Sequence, residues 1–321
     1  MTPAPNRNTR AGQVYNDLRN IAHGHRRDPA EYFTLYALEG FLVRLVASKV
    51  SDDFVLKGGV LMAAFAARRP NRDIDLAASG FPNDIPDVEA RVREIIVQQP
   101  DDGLVFELGS VSGEAIRDDA VYTGVRVKLI VRLATARIAL HVDVNFGDPI
   151  WPAPVEQELP CLLGGTRRLR GYPDHMVLAE KIVTALERGE VNTRWRDFVD
   201  IAWIVGTRRI TYADQRAALE AVADHRHTQL DSMRPLLETM PDLAERRWQS
   251  WRRKQRLVAT TPEHFAELLA ECLAYAEPVL DHRATGATWD PRSRAWESPD
   301  RAAPGGAAVL SRGGATQQPP R

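Results

Sequence analysis

The stretch FVLKGGVLMAAFAARRPNRDIDL, residues 54–76, combines residue types and spacings that could do chemistry. On a strand, Asp73 and Asp75 are i and i+2. Both carboxylates then emerge on one face, with Ile74 and Leu76 on the other. Two acids held that close repel, and each resists ionising unless a cation lies between them. Paired hard oxygen ligands suit Mg²⁺, or Mn²⁺, which is commonly bound through one or two carboxylates plus substrate phosphates. Gly58 and Gly59 fall after an apolar strand and before a helix. There a missing Cβ lets backbone N–H groups approach an anion, and the helix N-terminus favours negative charge. Alone, an Asp-x-Asp is most often a solvated strand edge, and a Gly-Gly is most often a turn. Together, with 13 residues between Gly59 and Asp73, they read as a phosphate cradle beside a metal-binding pair, the core of a nucleotidyl-transfer site.

The combination matches the pattern of the DNA polymerase β-like nucleotidyltransferase superfamily. In that pattern a hydrophobic residue or lysine precedes Gly-Gly or Gly-Ser, and a spacer leads to Asp-x-Asp. Lys57, Gly58, Gly59, Asp73 and Asp75 occupy those positions. Over roughly residues 30–282 the chain resembles the AbiEii family of bacterial nucleotidyltransferase toxins, including its MenT branch. The resemblance implies a nucleoside triphosphate substrate contacted by Lys57, Gly58, Gly59 and Lys181, and metal ions held by Asp73, Asp75 and Asp143.

Asp143 lies in ARIALHVDVNFGDP, where His141, Asp143 and Asn145 alternate with Val142, Val144 and Phe146. The segment is similar to the family strand that supplies a third carboxylate, although a half-exposed strand with ordinary polar residues has the same pattern. Asp73 and Asp143 are expected to meet on adjacent strands facing a groove between domains. Lys181, in DHMVLAEKIVTALERG, sits at the margin of an apolar helix face, where a snorkelling lysine is the ordinary reading. It is similar to the lysine of the family's Ala-Glu-Lys helix, whose ammonium is catalytic. Asp197 and Asp200, i and i+3 on the next helix, resemble the family's Arg-Asp-x-x-Asp helix; ordinary surface pairing of Arg196 with Asp200 is the alternative. The residues leave open which of the two acids is catalytic. One departure is Asn71, which stands where the family commonly carries Ser or Thr two residues before the first aspartate. Inactivation by phosphorylation at that position therefore does not carry over.

These residues need strands and helices to bring them together. Residues 11–48 have helical texture, with Asp28-Pro29 suited to N-cap and N1 positions. FVL and RDIDLAA are short strands, and YTGVRVKLIVRL and ARIALHVDVNF are the strongest alternating segments. Helical period dominates from Tyr172 onward, over 174–188, 194–206, 212–226, 242–257 and 262–282. Strands crowding the first half and helices the second predict an α+β protein. A mixed-sheet nucleotidyltransferase domain would span 11–160 and a helical domain 161–283. Residues 1–10 are expected to be flexible, and 284–321, rich in Pro and Gly, to form a disordered tail.

The 321 residues carry a net charge of −1, with 44% hydrophobic and 26% charged residues, which excludes a wholly disordered or fibrous chain. No apolar run is long enough to span a membrane, and MTPAPNRNTRAGQ lacks the apolar stretch expected of a secretory signal. Two separated cysteines argue against zinc or a disulfide framework, so a cytoplasmic location is expected. Near-neutral charge means that any nucleic-acid surface is local. ERRWQSWRRKQR places Arg246, Arg247, Arg252, Arg253 and Lys254 beside Trp248 and Trp251. Cations and aromatics together suit RNA, whereas an amphipathic helix with core tryptophans is the plainer reading. His225 and His227 read as surface residues.

No Walker A, Gly-x-Gly-x-x-Gly or Gly-x-Ser-x-Gly motif competes. The expectation is a Mg²⁺-dependent nucleotidyltransferase toxin. By resemblance, its acceptor is the 3′ end of tRNA, its effect is arrest of translation, and a cognate antitoxin restrains it. The alternatives are transfer to a small molecule or protein, or a non-catalytic protein that binds antitoxin or RNA on the same fold.

Overall fold

The computed structural model describes residues 5–62, 73–118, 121–147 and 151–298. Asn71 lies outside the described residues. The N-terminal helical segment is two helices, α1 (Arg10–Gly24) and α2 (Pro29–Ala47). Asp28 separates them by capping α2, accepting the Ala30 N–H at 2.9 Å. Strand β1 (Phe54–Lys57) runs into the short helix α3 (Gly58–Leu61), and β2 (Asp73–Ala78) returns antiparallel beside β1. Helix α4 (Ile85–Ile96) follows, then β3 (Leu104–Phe106), β4 (Ser112–Asp118), β5 (Val121–Leu133) and β6 (Ala136–Asn145). A hairpin of β7 (Val155–Pro160) and β8 (Thr166–Gly171) completes the sheet.

The strand order is β3-β5-β6-β2-β1-β8-β7, with β4 also pairing β5. The β2–β6 and β1–β8 pairs are parallel and the others antiparallel, so the sheet is mixed. Ile74, Leu76, Val125, Val127, Val142 and Val144 are fully buried on one face, where α2 and α4 pack. The period of two therefore puts the intervening polar residues of β2, β5 and β6 on the opposite face.

Sheet pairing moves the expected boundary at 160. Gly171 of β8 pairs with Leu56 of β1, so the sheet continues to residue 171. The β7–β8 hairpin is an edge whose exposed positions are mostly charged, and its apolar alternation is correspondingly faint.

Beyond it lie α5 (Asp174–Arg188), α6 (Trp195–Val205), the two-residue β9 (Ile210–Thr211), α7 (Tyr212–Arg226), α8 (Met233–Leu236), α9 (Met240–Gln255) and α10 (Phe265–Leu280). α5 packs on α6 and α7, and α10 packs on α6, α7 and α9. Phe265 meets Trp195, Phe198 and Trp248 edge-on at centroid distances of 5.3, 5.4 and 5.7 Å.

The expected disorder from residue 284 does not hold for 284–298. Strand β10 (Thr288–Asp290) pairs with β9 and with β11 (Ala295–Glu297). Trp289 is 1% exposed, and its indole N–H donates to the Val205 carbonyl at 2.7 Å. Trp296 donates to the Tyr275 carbonyl at 2.9 Å and stacks on the Tyr275 ring. Two tryptophans bury enough apolar surface to order a short segment despite its polar neighbours. Residues 299–321 lie outside the described residues.

Candidate active site

Four adjacent strands align one charged residue each. Lys57 of β1 is opposite Asp75 of β2, Asp75 is opposite Asp143 of β6, and Asp143 is opposite Arg126 of β5. Two acids thus sit side by side, flanked by two bases, on the sheet face away from α2 and α4. Asp73 lies two residues from Asp75, opposite His141, whose Nδ1 is 3.0 Å from Asp73 Oδ1.

Gly58 occupies the left-handed region at φ +66°, and a β-carbon there would lie 2.1 Å from Asp75 Oδ2. The position thus needs glycine for its backbone conformation and for the approach of the acid. The Gly59 N–H donates to Asp75 Oδ2 at 3.3 Å, so the amide expected to face phosphate is aimed at this carboxylate. Burial raises the Asp75 carboxyl above the ordinary range. Asp143 and Asp73 push the same way, against the opposing pull of Lys57 and the Gly59 N–H.

Asp143 is 8% exposed, and Arg126 grips both of its oxygens, Nε to Oδ1 at 2.8 Å and Nη2 to Oδ2 at 2.7 Å. That bond is the main reason the guanidinium holds its proton even more firmly than usual. Sequence reasoning missed Arg126, because Arg126, Lys128 and Arg132 alternate alike along β5. Only the register selects one.

Lys57, opposite Asp75, also places its Nζ 3.2 Å from Glu180 Oε1 on α5. The next residue, Lys181, places its Nζ 2.8 Å from Asp197 Oδ1 and 2.8 Å from Asp200 Oδ2. Arg194 adds a contact to Asp197 Oδ2 at 3.0 Å. Asp200 is fully buried, and Lys181 and Asp197 are nearly so. Lys181 is therefore not a snorkelling surface lysine; both acids of α6 hold it. Glu180 carries no signal in the sequence, because its partner Lys57 lies 123 residues away, yet it links α5 to the sheet.

The basic run on α9 divides. Arg246, Arg247, Arg253 and Lys254 are exposed. Arg252 is 4% exposed and donates to Thr261 Oγ1 and to the carbonyls of Val258, Thr261 and Glu263. Its place among the expected RNA contacts is corrected: the buried guanidinium fastens the loop after α9. Trp248 is fully buried with Trp251 stacked on it, as the amphipathic reading requires. His225 and His227 are exposed; His225 lies by the exit of β6, where a β-carbon on Gly147 would be 3.6 Å from its Cε1.

Among the described residues, no group of three His, Cys, Asp or Glu side chains is arranged to hold a metal ion. The donor chemistry nevertheless fits a hard divalent cation. Asp73 and Asp75 share a face, burial and the two neighbouring acids disfavour charge on Asp75, and Asp143 stands in register beside it. Asp143 differs from the other two in that both its oxygens engage Arg126. No helix among the described residues is long and apolar enough to cross a membrane.

A search of curated protein sequences found no match. Among solved structures, a candidate nucleotidyltransferase of Helicobacter pylori is similar at 14% identity and a TM-score of 0.43, covering 76% of this chain and 93% of its own. JHP933 of the same species shows 14% identity and a TM-score of 0.44, covering 77% and 93%. An antigenic nucleotidyltransferase-like protein of Paracoccidioides brasiliensis shows 13% identity and a TM-score of 0.37, covering 64% and 92%. The family described as nucleotidyl transferase AbiEii toxin, type IV toxin–antitoxin system, matches residues 40–272, a span that holds the acid row, the Gly-Gly turn and the Lys181 cluster. The chain belongs to the AbiEii family of nucleotidyltransferase toxins, which implies a nucleoside triphosphate substrate and a cognate antitoxin.

Proposed function

We propose that the protein transfers a nucleoside monophosphate from a nucleoside triphosphate to the 3′ hydroxyl of tRNA, in the cytoplasm, in a Mg²⁺-dependent reaction that blocks translation. The observation that carries this reading is the in-register pair Asp75 and Asp143, with the Gly58–Gly59 turn packed against Asp75. Asp73, Asp75 and Asp143 would hold the metal. When bound, Mg²⁺ neutralises phosphate charge and lowers the pKa of the attacking hydroxyl.

The chain's own groups do the rest. The Gly58–Gly59 turn opens α3 beside the acids, and its Gly59 amide, which holds Asp75, would have to leave that carboxylate to meet a phosphate oxygen. The Lys181 ammonium would offset charge on the departing pyrophosphate, and Asp197 and Asp200 position it for that role. Arg246, Arg247, Arg253 and Lys254 offer exposed cations to an RNA backbone.

The test is incubation of the protein with total tRNA, Mg²⁺ and each labelled nucleoside triphosphate in turn. Periodate-oxidised tRNA, whose 3′ hydroxyls are destroyed, serves as the control. Label should enter intact tRNA and not oxidised tRNA. Equal labelling of both, or labelling of a small molecule or protein instead, would exclude the 3′ end as acceptor.

A further inference from the structure

We propose that Arg126 and a divalent cation compete for Asp143: the guanidinium holds the carboxylate, and metal binding releases it toward the triphosphate. This rests on reading the acid row as the metal site. Arg126 and Asp143 face each other in antiparallel register, and the fork of Nε and Nη2 meets both carboxylate oxygens at 2.8 and 2.7 Å. A cation held by Asp75 and Asp143 would need an oxygen from each acid. Both Asp143 oxygens are bonded to the Arg126 guanidinium.

The two flanking bases differ in their carboxylate contacts. Lys57 bonds Glu180 of α5 at 3.2 Å while its charge pulls on Asp75, whereas Arg126 bonds both oxygens of an acid in the row. The Arg126 side chain is 38% exposed and that of Asp143 only 11%, so the guanidinium has room to move and the carboxylate does not. Glu114 of β4 lies opposite Arg126, but its own carboxylate is bonded to Lys128 at 2.6 Å. A released guanidinium would therefore remain beside the metal, where triphosphate oxygens match its planar fork. Arg126 is thus a positioning residue for Asp143 before substrate arrives and a phosphate ligand afterwards. An ion pair that merely ties β5 to β6 would give neither effect.

The experiment titrates Mn²⁺ into the full-length protein without nucleotide, followed by calorimetry, for the native sequence, Arg126→Gln and Asp75→Asn. ATP is then added to the Mn²⁺-saturated samples. Arg126→Gln should tighten Mn²⁺ binding on the order of tenfold, because a competing cation is gone. The same variant should bind ATP more weakly than the native protein. Should Arg126→Gln not fold, Arg126→Lys carries the test. It keeps the charge but cannot grip both oxygens, so tighter Mn²⁺ binding by a smaller factor is expected. Mn²⁺ binding that is lost in Asp75→Asn but equal or weaker in the Arg126 variants overturns the competition and leaves the metal site standing. Absence of saturable Mn²⁺ binding in the native and Arg126 proteins alike overturns the metal-site reading itself, and the competition with it.

Discussion

Gly58 and Asp75 are packed so closely that no side chain fits between them: a β-carbon on Gly58 would lie 2.1 Å from Asp75 Oδ2. The glycine turn and the acid strand are thus one unit, and altering either moves the other. Gly58→Ala must adopt φ +66° as well as displace the carboxylate. The left-handed conformation alone costs about 1–2 kcal/mol. We expect a total loss above ~2 kcal/mol in urea unfolding, with nucleotide binding lost even in molecules that remain folded. Native-like stability in Gly58→Ala would show that the turn yields easily.

Asp75→Asn should stabilise the fold at neutral pH while removing activity. Burial raises the Asp75 carboxyl, so the folded state holds this proton more tightly than the unfolded chain does. Its contribution is therefore fully present below ~3.9, the unfolded value, and is lost as pH rises through the raised folded value. Denaturant unfolding across pH 4–8 should show a falling segment in the native protein that flattens in Asp75→Asn. A steeper fall in the variant would contradict the assignment.

Lys181 neutralises two acids, one of them fully buried. Lys181→Met should destabilise the protein by about 3–5 kcal/mol, the cost of leaving a buried charge without its partner. Adding Asp200→Leu should recover part of that loss, and unfolding of Lys181→Met, Asp200→Leu and the double variant measures the coupling. Lys181→Arg is expected to fold better than Lys181→Met. It should not restore full transfer, since a planar fork cannot replace a compact ammonium.

The segment after α10 belongs to the folded unit. Trp289→Ala should cost roughly 3–5 kcal/mol, in line with other deletions of buried aromatic side chains. Truncation after Arg283 should lower the melting temperature at least as far, because it also removes Trp296 from the Tyr275 ring. An unchanged melting temperature would return the segment to the status of a loose tail.

What the sequence made readable was set by local periodicity. The alternation in RDIDLAA and LHVDVNF put Asp73, Asp75 and Asp143 on polar faces, and the sheet then brought those faces together. The helices of the second half lie close to the ranges expected from the sequence, and α5 and α7 have the same bounds. Register was not readable, because pairing of β5 with β6 depends on the whole sheet. Nothing in YTGVRVKLIVRL separates Arg126 from Lys128. Glu180 was hidden for a different reason: its partner Lys57 is 123 residues away in sequence. β3, β4 and the β7–β8 hairpin flank the sheet with short or polar segments, where an apolar period fades. Trp289 was obscured by the Pro and Gly residues around it, most of which fall after residue 298.

The most direct test of the central claim measures nucleotide transfer and growth arrest on one variant, Asp75→Asn, expressed beside the native protein at equal soluble levels. Loss of a carboxylate proposed to hold the metal should lower the transfer rate on the order of a thousandfold or more. If toxicity is enzymatic, growth should recover with the same substitution. Growth arrest that persists in a folded Asp75→Asn protein without measurable transfer would contradict the account and make this chain a binding protein.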